Sequence, residues 1–188
     1  MRDHLMQYDF FTEAEVSQVV SCFKPRQVKR KALLVQKGEV SRHVFFISQG
    51  CIRLYLVDYR MKEHTILFGT EGYWMGDLQA FINDTVASYN YQALEDTEVM
   101  AIHRSSWDKL MSEVPGFVHY VSVLFRNALI VQQQRIVEYF TLSAEQRYDN
   151  LIRNRKELIN RVPQKYLASY IGITPEFLSQ IRSKSTHN

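Results

Sequence analysis

The stretch "QKYLASYIGITPEFLSQIRS", residues 164–183, sets two short apolar-patterned runs on either side of Gly172-Ile173-Thr174-Pro175. Counting from Gln164, the residues Leu167, Ala168, Ile171, Gly172, Ile173, Leu178 and Ile181 fall at positions 4, 5, 8, 9, 10, 15 and 18. A helix-turn-helix needs this arrangement. A small residue at position 5 lets two helices approach, a glycine at 9 supplies the positive φ of the turn, and the apolar positions form the wedge between them. Thr174 is placed to cap the second helix, with Pro175 at its first position and Glu176 in its positively polarised first turn.

In such a unit the second helix enters the DNA major groove with its N-terminal half. Its outward residues are Thr174, Pro175, Glu176, Ser179, Gln180 and Ser183. Gln180 can pair bidentately with adenine, Glu176 can accept from cytosine N4, and the serines are permissive. Lys165, Arg182 and Lys184 suit phosphates, which accept charge without reading sequence.

The charge distribution agrees. The net charge of +3 comes from 23 Lys and Arg against 20 Asp and Glu. Residues 141–188 hold 8 of the cations and 4 of the anions, so the positive excess lies in the last quarter. A small basic segment on a near-neutral body suggests a polyanionic partner.

Upstream, Phe117, Val121, Leu124, Ala128 and Val131 repeat at coiled-coil spacing through an uninterrupted helical pattern to about Phe140. That pattern predicts a long helix and a dimer seam. Tyr120, Val123 and Ile130 offer a second apolar flank for packing on the chain's own body. Ser143-Ala-Glu-Gln146 is a capping-box sequence opening a further helix, with Tyr148, Leu151, Ile152, Leu158 and Ile159 as its buried stripe and Pro163 as its stop.

Nearer the N-terminus, residues 12–22 read as a short helix capped by Thr12. From about residue 26 the period is two. "HVFFISQGCIRLYLVD" reads as a hairpin turning at Gln49-Gly50, followed by "EHTILFG" and "TEVMAIH". Short strands with glycine at the turns suggest an antiparallel barrel or roll. The expected fold is therefore α+β. It comprises an antiparallel β-roll over 1–115, a dimerisation helix over 116–140, and a helix-turn-helix domain over 141–188 that lacks a full wing.

Composition excludes several classes. A hydrophobic content of 46% and an aromatic content of 13% are those of a folded chain. No apolar run reaches the roughly 20 residues of a membrane span, and "MRDHLMQYDFF" has no signal-peptide pattern, so a cytoplasmic protein without membrane partners is expected. Cys22 and Cys51 stand apart and read as reduced thiols. The six histidines show no i, i+4 pairing, and no metal site, cofactor or catalytic constellation is expected.

The order of these parts resembles the Crp–Fnr family of bacterial transcription regulators. "LLVQKGEVSRHVFFISQGCIRLYLV" looks like that family's cyclic-nucleotide-binding-type roll, and "GYWMGDLQAF" like the start of its phosphate-binding cassette. "VPQKYLASYIGITPEFLSQIRSK" is similar to the short regulators of the Bacteroidetes group. The resemblance implies an effector pocket at Tyr73, Trp74, Gly76, Asp77, Leu78, Ala87, Ser88, Tyr89 and Tyr91. It also implies partners: double-stranded DNA, a second copy, RNA polymerase and a small-molecule effector. The cassette departs from the nucleotide-binding pattern. Binders use Gly-Glu at its start for the ribose and Arg-Ser about ten residues later for the phosphate; here Gly76-Asp77 and Ala87-Ser88 take those places. No Lys or Arg lies between Glu63 and His103. Cyclic AMP is therefore disfavoured, and a different small molecule or a ligand-free scaffold role stays open. The expected function is a homodimeric DNA-binding transcription regulator. The alternative is a sensor module whose helix-turn-helix no longer binds DNA.

Overall fold

The structure is a computed structural model that describes residues 1–185, the side chains of the last two excepted. Two short helices, α1 (Arg2–Leu5) and α2 (Glu13–Ser21), precede the strands. Helix α2 starts where the sequence placed it. The Thr12 hydroxyl accepts from Glu15 N at 3.2 Å, and the Glu15 carboxylate accepts from Thr12 N at 2.9 Å. Two orphan amides of the first turn are thus satisfied reciprocally.

Eight strands follow: β1 (Lys24–Val28), β2 (Leu33–Val35), β3 (His43–Gln49), β4 (Ile52–Val57), β5 (Glu63–Gly69), β6 (Trp74–Met75), β7 (Asn90–Ala93) and β8 (Thr97–His103). They form two four-stranded sheets with orders β1-β8-β3-β6 and β2-β7-β4-β5. The pairs β1/β8, β3/β8, β3/β6 and β2/β7 are antiparallel. This is the expected roll, with one correction. β3 and β4 are not a hairpin: the turn at Gly50 carries the chain from one sheet to the other. Gly50 sits at φ 109°, and a Cβ there would lie 2.4 Å from the Thr97 hydroxyl, so the crossover needs glycine for conformation and for space.

Helix α3 (Leu78–Asn83) lies between β6 and β7, and α4 (Arg104–Glu113) follows β8. The 27-residue α5 (Pro115–Thr141) then begins. The core gathers Leu5, Val16, Val19, Phe23, Val44, Phe81, Ile102, Leu110, Val114, Phe117, Tyr120 and Val121. At its centre Trp74 Nε1 donates to the Tyr120 hydroxyl at 2.8 Å, and that hydroxyl lies 2.9 Å from His4 Nε2. Burial lowers the His4 pKa, with the N-terminal charge adding to it, and burial raises that of Tyr120. Burial thus favours the uncharged form of both groups in this contact.

Beyond α5 the chain is helical: α6 (Ala144–Asn154), α7 (Lys156–Arg161), α8 (Gln164–Ile171) and α9 (Pro175–Ser185). The Ser143–Gln146 capping box is present. The single helix expected from 143 to 162 is broken, however, at Arg155 (φ −142°, ψ 47°). Tyr148, Leu151 and Leu158 are buried on either side of the break, so two short helices bury the stripe that one was expected to bury. Contacts divide the chain into two compact units. One holds Met1–Leu54 with Phe68–Ala128; the other holds Tyr55–Leu67 with the chain from Leu129 onward.

Candidate nucleic-acid interface

Helix α8 ends as its sequence requires. Gly172 lies at φ 79° in the left-handed region, Gly172 N donates to Ser169 O at 3.2 Å, and Ile173 N donates to Ala168 O at 3.0 Å. These are the two bonds of a Schellman stop, which turns the chain sharply while pairing the last carbonyls. Thr174 then caps α9: its hydroxyl accepts from Phe177 N at 3.2 Å and its carbonyl from Leu178 N at 3.0 Å. Leu167, Ala168, Ile171, Leu178 and Ile181 are buried, and Ala168 has no exposed surface. The apolar wedge read from the spacing therefore packs, except that Ile173 in the turn is only half-buried.

Thr174, Pro175, Glu176, Ser179, Gln180, Arg182 and Ser183 are exposed on α9, and Lys165 is exposed on α8 with its ammonium 4.7 Å from the Tyr166 ring centroid. The side chain of Lys184 lies outside the described residues. Two expected readers are already engaged. Ser179 Oγ accepts from Gln164 Nε2 at 2.7 Å, and the Ser183 hydroxyl donates to Gln180 O at 2.9 Å. Gln164, which the spacing argument used only as an origin, thus ties the start of α8 to the middle of α9.

Arg147 on α6 was not anticipated, and it holds the turn. Its Nε donates to Ile171 O at 3.0 Å and its Nη1 to Leu142 O at 2.7 Å, so one guanidinium satisfies the ends of α8 and α5. It also lies 5.4 Å from the Tyr139 ring centroid, and a Cβ on Gly172 would meet Tyr139 at 3.3 Å. Such a contact between distant helices leaves no periodic trace in sequence.

Of the residues expected to line a dimer seam along α5, the first ones pack into the chain's own core. Phe117 and Val121 are 0% and 3% exposed because they pack into the chain's own core, and Leu124 packs partly against that core. Ala128 and Val131 are exposed, on a face that also carries Arg135. A second exposed apolar stripe is Val118, Phe125, Leu129, Ile136 and Phe140. At about 100° per residue it lies about a quarter-turn round the helix from the expected seam. From Phe125 to Val137, only Arg135 is not exposed.

The cassette residues separate into two groups. Trp74 points into the aromatic cluster around Tyr120, while Leu78 and Tyr73 are exposed. Gly76 passes so close to Val44 that a Cβ would lie 2.9 Å from its methyl. Asp77, 2% exposed, accepts from Ala80 N at 3.1 Å and from Ser88 N at 2.7 Å, closing the cassette on itself. Ala87 and Tyr91 are buried, and Tyr89 is half-buried. Burial, with Asp77 and Tyr89 adding to it, pushes the Tyr91 hydroxyl pKa up, so it stays protonated. Arg53 on β4, fully buried, donates to Gln92 Oε1 on β7 at 3.1 Å; sequence reading passed over it. Among the described residues no cluster of metal-ligating side chains occurs, and no single helix is long and apolar enough to cross a membrane.

Residues 25–114 match the family model described as cyclic nucleotide-binding domain. The regulatory protein HlyX of Actinobacillus pleuropneumoniae is 22% identical over 182 residues, covering 90% of this chain and 75% of that protein. The cyclic AMP receptor protein of Thermus thermophilus is 21% identical over 174 residues, covering 89% and 79%. Among solved structures, FixK2 from Bradyrhizobium japonicum superposes with a TM-score of 0.73 at 15% identity, covering 86% of this chain and 83% of that one. Residues 25–114 are thus similar to cyclic nucleotide-binding domains, and over most of its length the chain shares its fold with Crp/Fnr-type regulators.

Proposed function

We propose that this protein is a homodimeric, sequence-specific DNA-binding transcription regulator. The observation that carries the reading is the capped, exposed start of α9 on a buried Leu167–Ala168–Leu178–Ile181 wedge. An exposed helix start offers a positive dipole end to a phosphate, and Glu176 and Gln180 to base edges. The bare apolar stripe of α5 supports dimerisation. Its residues follow one another at 7, 4, 7 and 4, an 11-residue repeat that keeps them on one helix face, with Gln132 as a polar position beside it. Paired chains would set two α9 helices about one DNA turn apart.

Cyclic AMP does not suit the cassette. A phosphodiester loses a charge-assisted hydrogen bond where no cation faces it, worth about 1.5–3 kcal/mol. The Ser88 and Ala80 amides already donate to the buried Asp77 carboxylate, which repels a second anion. A less anionic effector among Tyr89 and Tyr91, or a roll acting as scaffold and as a contact for RNA polymerase, accords better with these residues. The alternative, an effector- or protein-binding sensor module whose helix-turn-helix no longer binds DNA, predicts that random duplexes give no enriched site. Selection of bound duplexes with wild-type protein and with Gln180→Ala tests the reading: an enriched site that the variant no longer prefers supports it.

A further inference from the structure

Strand β5 is the last strand of its sheet, and an edge strand leaves alternate backbone N–H and C=O groups without a ladder partner. Within the unit formed by residues 55–67 and the chain from 129, this edge is covered by the reader itself. Thr65 N donates to Ser169 Oγ at 2.9 Å, and the same hydroxyl donates to Glu63 O at 3.3 Å. One serine on α8 thereby satisfies a donor and an acceptor of the strand. One residue on, Arg135 Nη1 donates to Ile66 O, and its guanidinium lies 4.1 Å from the Tyr170 ring centroid. Thr65 is 6% exposed, so its amide has little access to water as an alternative partner.

We propose that Ser169 and Arg135 are positioning residues of the DNA reader, and that hairpin segment 55–67 is its docking strand. This rests on the DNA-reading function proposed above. Helices α8 and α9 share a buried wedge, so fixing α8 fixes α9. A reader held in place before encounter loses less freedom on binding, and that difference appears as affinity. Neither residue lies on α9. Their effect is on how often α9 stands ready, not on which bases it reads. The coupling is reciprocal, so DNA must tighten the dock by the factor that the dock tightens DNA binding.

The test uses full-length protein and the duplex selected by the wild type. Hydrogen exchange at the Thr65 amide, duplex affinity, thermal midpoint and dimerisation are measured for Ser169→Ala, Ser169→Thr and Arg135→Gln. Loss of one net hydrogen bond predicts roughly 5-fold weaker binding and roughly 5-fold faster Thr65 exchange in Ser169→Ala. Ser169→Thr, which keeps the hydroxyl, restores both, and base preference is unchanged throughout. In the wild type, the duplex slows Thr65 exchange. Unchanged or tighter binding by Ser169→Ala and Arg135→Gln overturns the proposal, as does a Thr65 amide indifferent to DNA. Should the wild type bind no duplex, the DNA-reading function itself fails and the positioning role falls with it. If Ser169→Ala does not fold, Arg135→Gln alone decides by the same two readouts.

Discussion

Replacing Leu129 by alanine separates two seams on one helix. Leu129 is 60% exposed in the single chain and Val121 is 3% exposed. Fully burying a leucine side chain is worth about 1.5–3 kcal/mol, so covering the exposed part of Leu129 in a dimer is worth roughly 1–2 kcal/mol per chain. Two-fold symmetry removes it twice. Leu129→Ala should therefore weaken dimerisation by about 2–4 kcal/mol, roughly 30- to 1000-fold in the dissociation constant. Val121→Ala, cutting into the core formed with Val114, Phe117 and Tyr120, should lower folding stability by about 1–3 kcal/mol while leaving that constant nearly unchanged. Sedimentation over a dilution series reads association, and guanidinium unfolding at fixed protein concentration reads stability. The reasoning is refuted if Val121→Ala dissociates the protein and Leu129→Ala does not.

Other expectations are as direct. Arg147→Met strips donors from Ile171 O and Leu142 O and should weaken DNA binding roughly 10-fold or more by gel shift, with dimerisation intact. Gly172→Ala forces a side chain into the left-handed region beside Tyr139 and should cost about 1–2 kcal/mol in unfolding experiments, with Gly172→Asn milder. His4 has a lowered pKa in the folded chain, so unfolded chains bind more protons below the ordinary value of 6.5. Its contribution is full above 6.5 and is lost as the pH falls through the lower folded value, as it is for His43, lowered by burial and by His103. The thermal midpoint should drop on acidification from about pH 7.5 to about pH 5.5, and His4→Gln should drop less.

Much of the fold was legible because it is written locally. The spacing in 164–183 fixes a wedge, a turn and a cap within twenty residues, and the structure packs those same side chains. Thr12 and Ser143 announce their helices through boxes that close over three residues. What was missed is non-local. A glycine turn looks the same whether the chain pairs back or crosses to a second sheet, so Gly50 was read as a hairpin. Helix α5 carries apolar residues on more than one face, and periodicity alone does not tell the face that meets its own core from one left exposed. Arg155 breaks a helix with neither proline nor glycine to mark the place. Arg147, Gln164 and Ser169 act across 24, 15 and over 100 residues of sequence, beyond the reach of any local pattern. Cassette residues named by resemblance parted because Trp74 serves the core and Asp77 serves its own backbone.

The central claim is that α9 reads DNA as one of a pair. The most direct measurement is selection from a random duplex pool with full-length protein, followed by the stoichiometry of the complex on the enriched sequence. The account predicts an approximately palindromic site with half-sites about 10 base pairs apart. Two chains should occupy each duplex, and Gln180→Ala should relax preference at one position per half-site by about 1–3 kcal/mol. A pool that stays as random as its input, with Leu129 and Phe125 still holding the dimer together, would contradict it.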